Sequence, residues 1–308
     1  MSSVTWRRHP LRFVFGNWQA YRLALKMLDA ERPCAVIGLG GFASVPTVLA
    51  AIRRRIPTII LEQNTIPGRA TRFVSRWAGA VCVAFKDTAS RLPASARVVH
   101  TGNPVRPGVA SLHRRRDVLV SATPPTLLVL GGSQGAESLN EAVVGMLSQT
   151  SPPLKGWRIV HQTGPGQHDA ILKIYDNCGL LHVVESFFDD LSEWYSQAAI
   201  VVGRAGATTL AELACAGLPA VLLPYPHAAD NHQLANARAI AAAGAAVVVE
   251  HEQTSWQTSA KLAATLAALV DDAVRLAAMR EASLRLARPD AARNVAAVLQ
   301  SLIASSIT

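Results

Sequence analysis

Short apolar runs alternate along the chain with longer stretches in which alanine and leucine recur every three or four residues. The runs at 35–38, 58–61, 80–84, 98–101, 126–130, 158–162, 182–184, 200–203, 220–223 and 246–249 predict strands, and the stretches between most of them predict helices. Most of the runs are β-branched or leucine-rich, as expected of strands in parallel sheets covered on both faces. The fold class is therefore α/β, with parallel sheets covered by helices. The pattern lapses in "PVRPGVASLHRRRDVLVSATPP", from Pro104 to Pro125, which reads as a connection rich in proline and arginine. The expected organisation is a first domain over 1–110, a linker over 111–125, a second domain over 126–288, and a closing helix over 289–308 that can pack back on the first domain. No repeat of solenoid period is present.

Composition narrows the classes. The 308 residues suffice for two domains, and with 50% hydrophobic and only 17% charged residues the chain is globular, not disordered. Its longest apolar runs, such as 239–249, fall short of the roughly 20 residues that cross a bilayer. "MSSVTWRRHP" lacks the apolar core and cleavage site of a signal peptide. The four cysteines stand apart from one another, giving neither a metal motif nor a disulfide framework, which fits a reducing compartment. A net charge of +9 favours an anionic partner. Acidic lipid and a phosphorylated substrate both qualify; no zinc-finger, RRM-like or helix-turn-helix pattern speaks for nucleic acid.

Two stretches carry candidate anion chemistry. In "LLVLGGSQGAESLNEAV" (127–143) an apolar strand stops at Gly131-Gly132-Ser133 and a helix pattern begins at once. Glycines admit unusual backbone angles and close approach, Ser133 offers a hydroxyl, and the helix start presents unpaired N–H groups. A plain strand-to-helix turn with a serine cap is the bland alternative. "VVGRAGATTLAELACAGLPAVLLPYP" (201–226) repeats the arrangement: Gly203, Gly206 and Ala207 leave amides accessible, and Thr208 and Thr209 can cap the helix. Glu212 could accept hydrogen bonds from ribose hydroxyls, or could simply be a surface residue complementing the helix dipole. "HAADNHQLANA" (227–237) then crowds His227, Asp230, Asn231, His232, Gln233 and Asn236 behind a strand end. Gln233 and Asn236, three apart on a helix, could read sugar hydroxyls. His227, Asp230 and His232 could instead bind zinc, although their spacing matches no metal motif.

In this order the segments resemble the C-terminal half of the MurG family. The resemblance extends back through "TGNPVR" (101–106), "LEQNTIPGRATR" (61–72) and "VIGLGGFASVP" (36–46), and so covers nearly the whole chain. It implies the GT-B arrangement of two Rossmann-like domains. It also implies transfer of N-acetylglucosamine from UDP-N-acetylglucosamine to lipid I, undecaprenyl-pyrophosphoryl-N-acetylmuramoyl-pentapeptide. By that resemblance Ser133 and Arg106 contact the nucleotide diphosphate, and the Phe188 main chain reads the uracil. Ala207 offers main-chain groups to the sugar, Glu212 holds the ribose, His232 and Gln233 contact sugar and phosphate, and Asn64 reaches a sugar hydroxyl. The expected chemistry is one inverting displacement by the acceptor's C4 hydroxyl, with no cofactor. The sequence has no Asp-x-Asp motif, in keeping with a metal-independent enzyme.

Family members carry a GGTGGH loop ahead of the region matched by Met1, and its histidine is a favoured catalytic candidate. The sequence as given has no such loop, so the first domain is expected to be incomplete, and Glu62 is the nearby candidate base. Phe42, Leu61 and Thr71 stand where the family often has Tyr, His and Asn. Two other readings go with these departures: a donor-binding half that needs a separate N-terminal partner, and a UDP-sugar epimerase-like enzyme. In "WRRHPLRFVFGNWQAYR" a helix after Pro10 places Leu11, Phe15 and Trp18 on one face among Arg7, Arg8, Arg12 and Arg22. That face suits either an anionic membrane surface or the sheet of its own domain. The resemblance favours peripheral docking on the cytoplasmic face of the cell membrane.

Overall fold

The computed structural model describes residues 10–115, 124–132, 135–149, 154–226 and 228–307. The chain forms two compact units, unit 1 being Met1–Asn103 with Asp290–Thr308 and unit 2 being Pro104–Pro289.

Unit 1 runs α1 (Pro10–Glu31), β1 (Val36–Gly38), α2 (Val45–Arg53), β2 (Thr58–Glu62), α3 (Arg69–Val74), β3 (Ala80–Val83) and β4 (Val98–His100). Its four strands are parallel in the order β1-β2-β3-β4. Every residue of β2 and β3 is buried, because successive side chains serve opposite faces and both faces are covered. Ile60, Val81 and Val83 meet Val48 of α2 and Val74 of α3. α1 lies on α2, burying Ala24 and Leu28 against Ala50 and Ala51.

Unit 2 begins with α4 (Pro107–Leu112). It continues through β5 (Thr126–Leu130), α5 (Glu137–Leu147), β6 (Arg158–Gln162), α6 (His168–Asn177), β7 (Leu181–Glu185) and α7 (Ser192–Gln197). Then come β8 (Ala198–Gly203), α8 (Ala207–Ala216), β9 (Ala220–Leu222), α9 (His232–Ala242), β10 (Ala246–Val248), α10 (Ser255–Val270) and α11 (Ala273–Leu286). The six strands are parallel in the order β10-β9-β8-β5-β6-β7. The last helix, α12 (Ala291–Ile307), returns to unit 1. Val295, Leu299 and Leu302 there cover Ile59, Leu61, Ala80 and Cys82, the β2 and β3 residues that point away from α2.

The division falls between Asn103 and Pro104, ahead of the residue 110 expected from the sequence. The reason is packing: α4 lies on α7 and α8 and buries Val109 and Leu112 there. Of the expected linker, residues 116–123 lie outside the described residues. Strand β7 runs a residue further at each end than its apolar core. It is an edge strand whose outer positions, Leu181 and Glu185, are exposed, so burial does not mark its limits.

One polar group interrupts the core of unit 2. His161 of β6 is fully buried, next to Asn140 of α5 and Tyr175 of α6, themselves almost inaccessible. Its Nε2 is 3.1 Å from Asn140 Oδ1 and its Nδ1 3.0 Å from the Tyr175 hydroxyl. Burial pushes the imidazole down to about 3 from its ordinary 6.5, so the folded protein holds it neutral while the unfolded chain protonates it below 6.5. Unfolding then takes up a proton, and stability falls as pH drops from about 6.5 towards 3, by at most about 1.4 kcal/mol per pH unit from this group. Urea unfolding between pH 4 and pH 7 should show that this slope is shallower in His161→Gln than in the wild type; equal slopes would exclude His161 as its source.

Candidate functional site

The strand order of unit 2 reverses between β5 and β8, so the chain leaves the carboxyl ends of these neighbours in opposite directions and a crevice opens between them. A cleft of about 1160 Å³ occupies that position, formed by residues of unit 2. One wall is the glycine turn after β5. A Cβ on Gly131 would stand 2.6 Å from the Gln162 carbonyl oxygen, the same oxygen that accepts the Gly131 N–H at 2.9 Å. Gly132 and Gly135 have φ near +78° and +79°, where a side chain is strained. The turn feeds α5, whose N-cap, Ala136, contributes no side-chain hydrogen bond.

The opposite wall is the start of α8. Its N-cap is Gly206, a residue with no side chain to cap the helix. Two helix starts whose N-cap residues, Ala136 and Gly206, supply no side-chain hydrogen bond thus line one cleft, each with the positive end of a helix dipole.

Arg204, in the turn between β8 and α8, ties the walls together. Nη1 donates to the Leu223 carbonyl at 2.8 Å and meets His251 Nε2 at 2.7 Å; Nη2 donates to Ser138 Oγ, in the first turn of α5, at 2.6 Å. The guanidinium lies 5.5 Å from the centre of the Tyr225 ring, and burial lowers it to about 10 from 12.5. It remains a cation at neutral pH, on the lining of the cleft.

Glu212 also lines the cleft and is buried, which removes the surface alternative. Burial raises its carboxyl, while the Tyr195 hydroxyl, donating to Oε2 at 2.9 Å, and the nearby Arg106 charge work in the opposite direction. Arg106 itself is exposed and donates to the Asp189 carbonyl at 3.1 Å.

The remaining sequence candidates divide. Gln233 lines the cleft and accepts the Tyr225 N–H at 2.9 Å, whereas His232 is half-buried at the start of α9 and forms no part of the wall. Asn236 is fully buried and donates to the Ala205 carbonyl at 3.2 Å, holding the turn before α8 instead of facing a sugar. The Phe188 N–H donates to Gln162 Oε1 at 3.3 Å and its ring packs on Trp194. Ala207 is the first residue of α8 and is nearly buried. Ser133 and His227 lie outside the described residues, as do Arg7 and Arg8. Among the described residues no group of three His, Cys, Asp or Glu side chains could hold a metal ion.

In unit 1, Glu62 ends β2 and is buried. Oε1 accepts the Asn64 N–H at 3.1 Å and Oε2 the Gly68 N–H at 3.0 Å. Both oxygens therefore hold the loop that carries Asn64, a role that ties up the carboxylate. On α1, Arg12, Phe15 and Trp18 are exposed, and Arg22 stacks on Trp18. The helix packs on its own unit through Ala24 and Leu28 while its first turns present aromatics outward.

Sequence reasoning passed over Arg204 and the loop from Gln162 to Gln167. A charged residue caught between Gly203 and Gly206 was the available signal for the first.

The glycosyltransferase family 28 C-terminal domain matches residues 126–295, and the family 28 N-terminal domain matches residues 5–83. The UDP-N-acetylglucosamine--N-acetylmuramyl-(pentapeptide) pyrophosphoryl-undecaprenol N-acetylglucosamine transferase of Hahella chejuensis is 40% identical over 289 residues, which span 93% of this chain and 76% of that protein. The crystal structure of Acinetobacter baumannii MurG superimposes with a TM-score of 0.73 at 32% identity, covering 93% of this chain and 80% of that one. A UDP-GlcNAc 2-epimerase from Neisseria meningitidis, 12% identical with a TM-score of 0.64 over 92% of this chain and 81% of its own, shares the fold alone. The two parallel-sheet units are of the GT-B class, and the chain belongs to glycosyltransferase family 28 and, within it, to the MurG family.

Proposed function

We propose that this protein transfers N-acetylglucosamine from UDP-N-acetylglucosamine to lipid I, forming lipid II for peptidoglycan. The observation that carries the reading is the unit 2 cleft, where two glycine-flanked helix starts and Arg204 gather positive potential beside the buried carboxylate of Glu212. An anion belongs at the helix ends and a pair of hydroxyls at Glu212; a nucleoside diphosphate supplies both. Relatives of about 40% identity bear the name of this transferase.

The chemistry follows from where charge develops. Breaking the bond from the anomeric carbon to the diphosphate leaves UDP with additional negative charge. Fixed N–H dipoles at the helix starts favour the transition state over the ground state, and by the family resemblance Ser133 and Arg106 add donors to the diphosphate. Glu212 holds the ribose, Ala207 and Gln233 the sugar side, and the Phe188 segment the base. Displacement by the acceptor's C4 hydroxyl, directly at the anomeric carbon, expels UDP and inverts the configuration while a general base takes the hydroxyl proton. With cationic and dipolar groups of the chain available to the diphosphate, no metal ion is required.

The exposed Phe15 and Trp18 with Arg12 and Arg22 form the face by which the protein meets an anionic, cytoplasmic membrane surface and so reaches a lipid-borne acceptor. Among the described residues no helix is long and apolar enough to cross a membrane.

Three outcomes are expected. Glu212→Gln should weaken UDP binding about tenfold or more by calorimetry, a charge-assisted hydrogen bond being lost; unchanged affinity would remove Glu212 from the donor site. Transfer measured with purified lipid I should persist in excess EDTA, and its abolition would establish a metal requirement. Trp18→Glu should reduce co-sedimentation with vesicles rich in anionic lipid while leaving UDP affinity alone; undiminished sedimentation would place the membrane contact elsewhere.

A further inference from the structure

The hydrogen-bond directions around Asn140 are fixed by chemistry. Asn140 points one amide atom at the Thr163 carbonyl (2.9 Å) and at Gln167 Oε1 (2.7 Å). A main-chain carbonyl only accepts, so that atom is the amide nitrogen, and Oδ1 is left for His161. His161 Nε2 must then carry the imidazole proton, and Nδ1, bare, accepts the Tyr175 O–H. The chain of donors has one sense: Tyr175 to His161, His161 to Asn140, Asn140 to the loop at 163–167.

That loop is a wall of the cleft, for Gln162, Thr163, Gly166 and Gln167 all line it. Asn140 stands at the joint between this wall and the glycine turn. A Cβ on Gly131 would come within 3.5 Å of its Oδ1, and one on Gly135 within 3.0 Å of the Thr163 carbonyl that Asn140 holds. Without its imidazole donor, Oδ1 would be a buried acceptor left unpaired, and turning the amide to satisfy it would aim oxygen at two acceptors. The relay thus stabilises one amide orientation and, through it, one separation of the two walls.

We propose that His161 is a positioning residue for the donor nucleotide: its Nε2–H locks the Asn140 amide so that the glycine turn and the 163–167 loop stand at the spacing that holds the diphosphate. This rests on the donor-site reading of the cleft. A purely structural role would act on stability alone.

Two substitutions separate these effects, since a glutamine amide nitrogen reaches the place of Nε2 and an asparagine amide reaches only that of Nδ1. His161→Gln retains the donor to Asn140 and should bind UDP within about threefold of wild type. His161→Asn loses that donor and should bind about tenfold or more weakly. Both bury an amide in place of the ring, so both lower the melting temperature. Tyr175→Phe, which removes only the start of the relay, should lower the melting temperature while keeping UDP affinity near that of wild type. Calorimetric UDP titrations at a temperature where all three are folded read the result. Equal affinities of the Gln and Asn variants, or affinities that simply follow melting temperature, overturn the relay. Weakening by Glu212→Gln alongside equal Gln and Asn affinities would overturn the relay and leave the donor site standing. A wild-type protein that does not bind UDP overturns both.

Discussion

The structure of unit 2 depends on one constraint of parallel sheets: every strand must deliver the chain to the same edge. β5 and β8 are hydrogen-bonded neighbours whose following segments leave in opposite directions, so the sheet cannot close over its own carboxyl edge at that point. The gap is obligatory, and what the sequence decides is its lining. Gly131, where a Cβ would strike the Gln162 carbonyl oxygen, and Gly206 bring main chain to the lining, and the two helices that start there have N-cap residues that supply no side-chain hydrogen bond. The unpaired N–H groups that a helix cannot avoid become the chemical content of the site.

Around that gap the polar groups follow a division of labour. Among those that line the space, Glu212 and Gln233 each have one partner from the chain. Those behind it, Asn140, His161 and Asn236, are buried and spend their hydrogen bonds on the chain itself. Arg204 does both, reaching Ser138 on one side and the Leu223 carbonyl on the other from the rim of the space.

The architecture was legible because parallel strands buried on both faces advertise themselves as short runs rich in β-branched residues and leucine. The runs at 126–130 and 158–162 coincide with β5 and β6, and the other eight strands differ from their runs only at the ends. Glycine turns and Glu212 were legible for a related reason, since a local motif fixes their place relative to a strand end. Arg204 was not, because its meaning lies in partners at 138, 223 and 251 that only the sheet order brings together. His161 was hidden more thoroughly: inside an apolar strand it reads as an interruption. The α4 segment misled because proline and arginine dominate its composition, while the two residues that assign it to unit 2, Val109 and Leu112, are inconspicuous.

The return of α12 to unit 1 bears on how the protein is made. A ribosome releases residues in order, and unit 2 is one continuous segment that can fold as soon as it has emerged. The β2 and β3 face formed by Ile59, Leu61, Ala80 and Cys82, by contrast, waits for Val295, Leu299 and Leu302, synthesised some two hundred residues later. The unit begun first is thus finished last, and for most of translation an apolar strip of its sheet is available to chaperones.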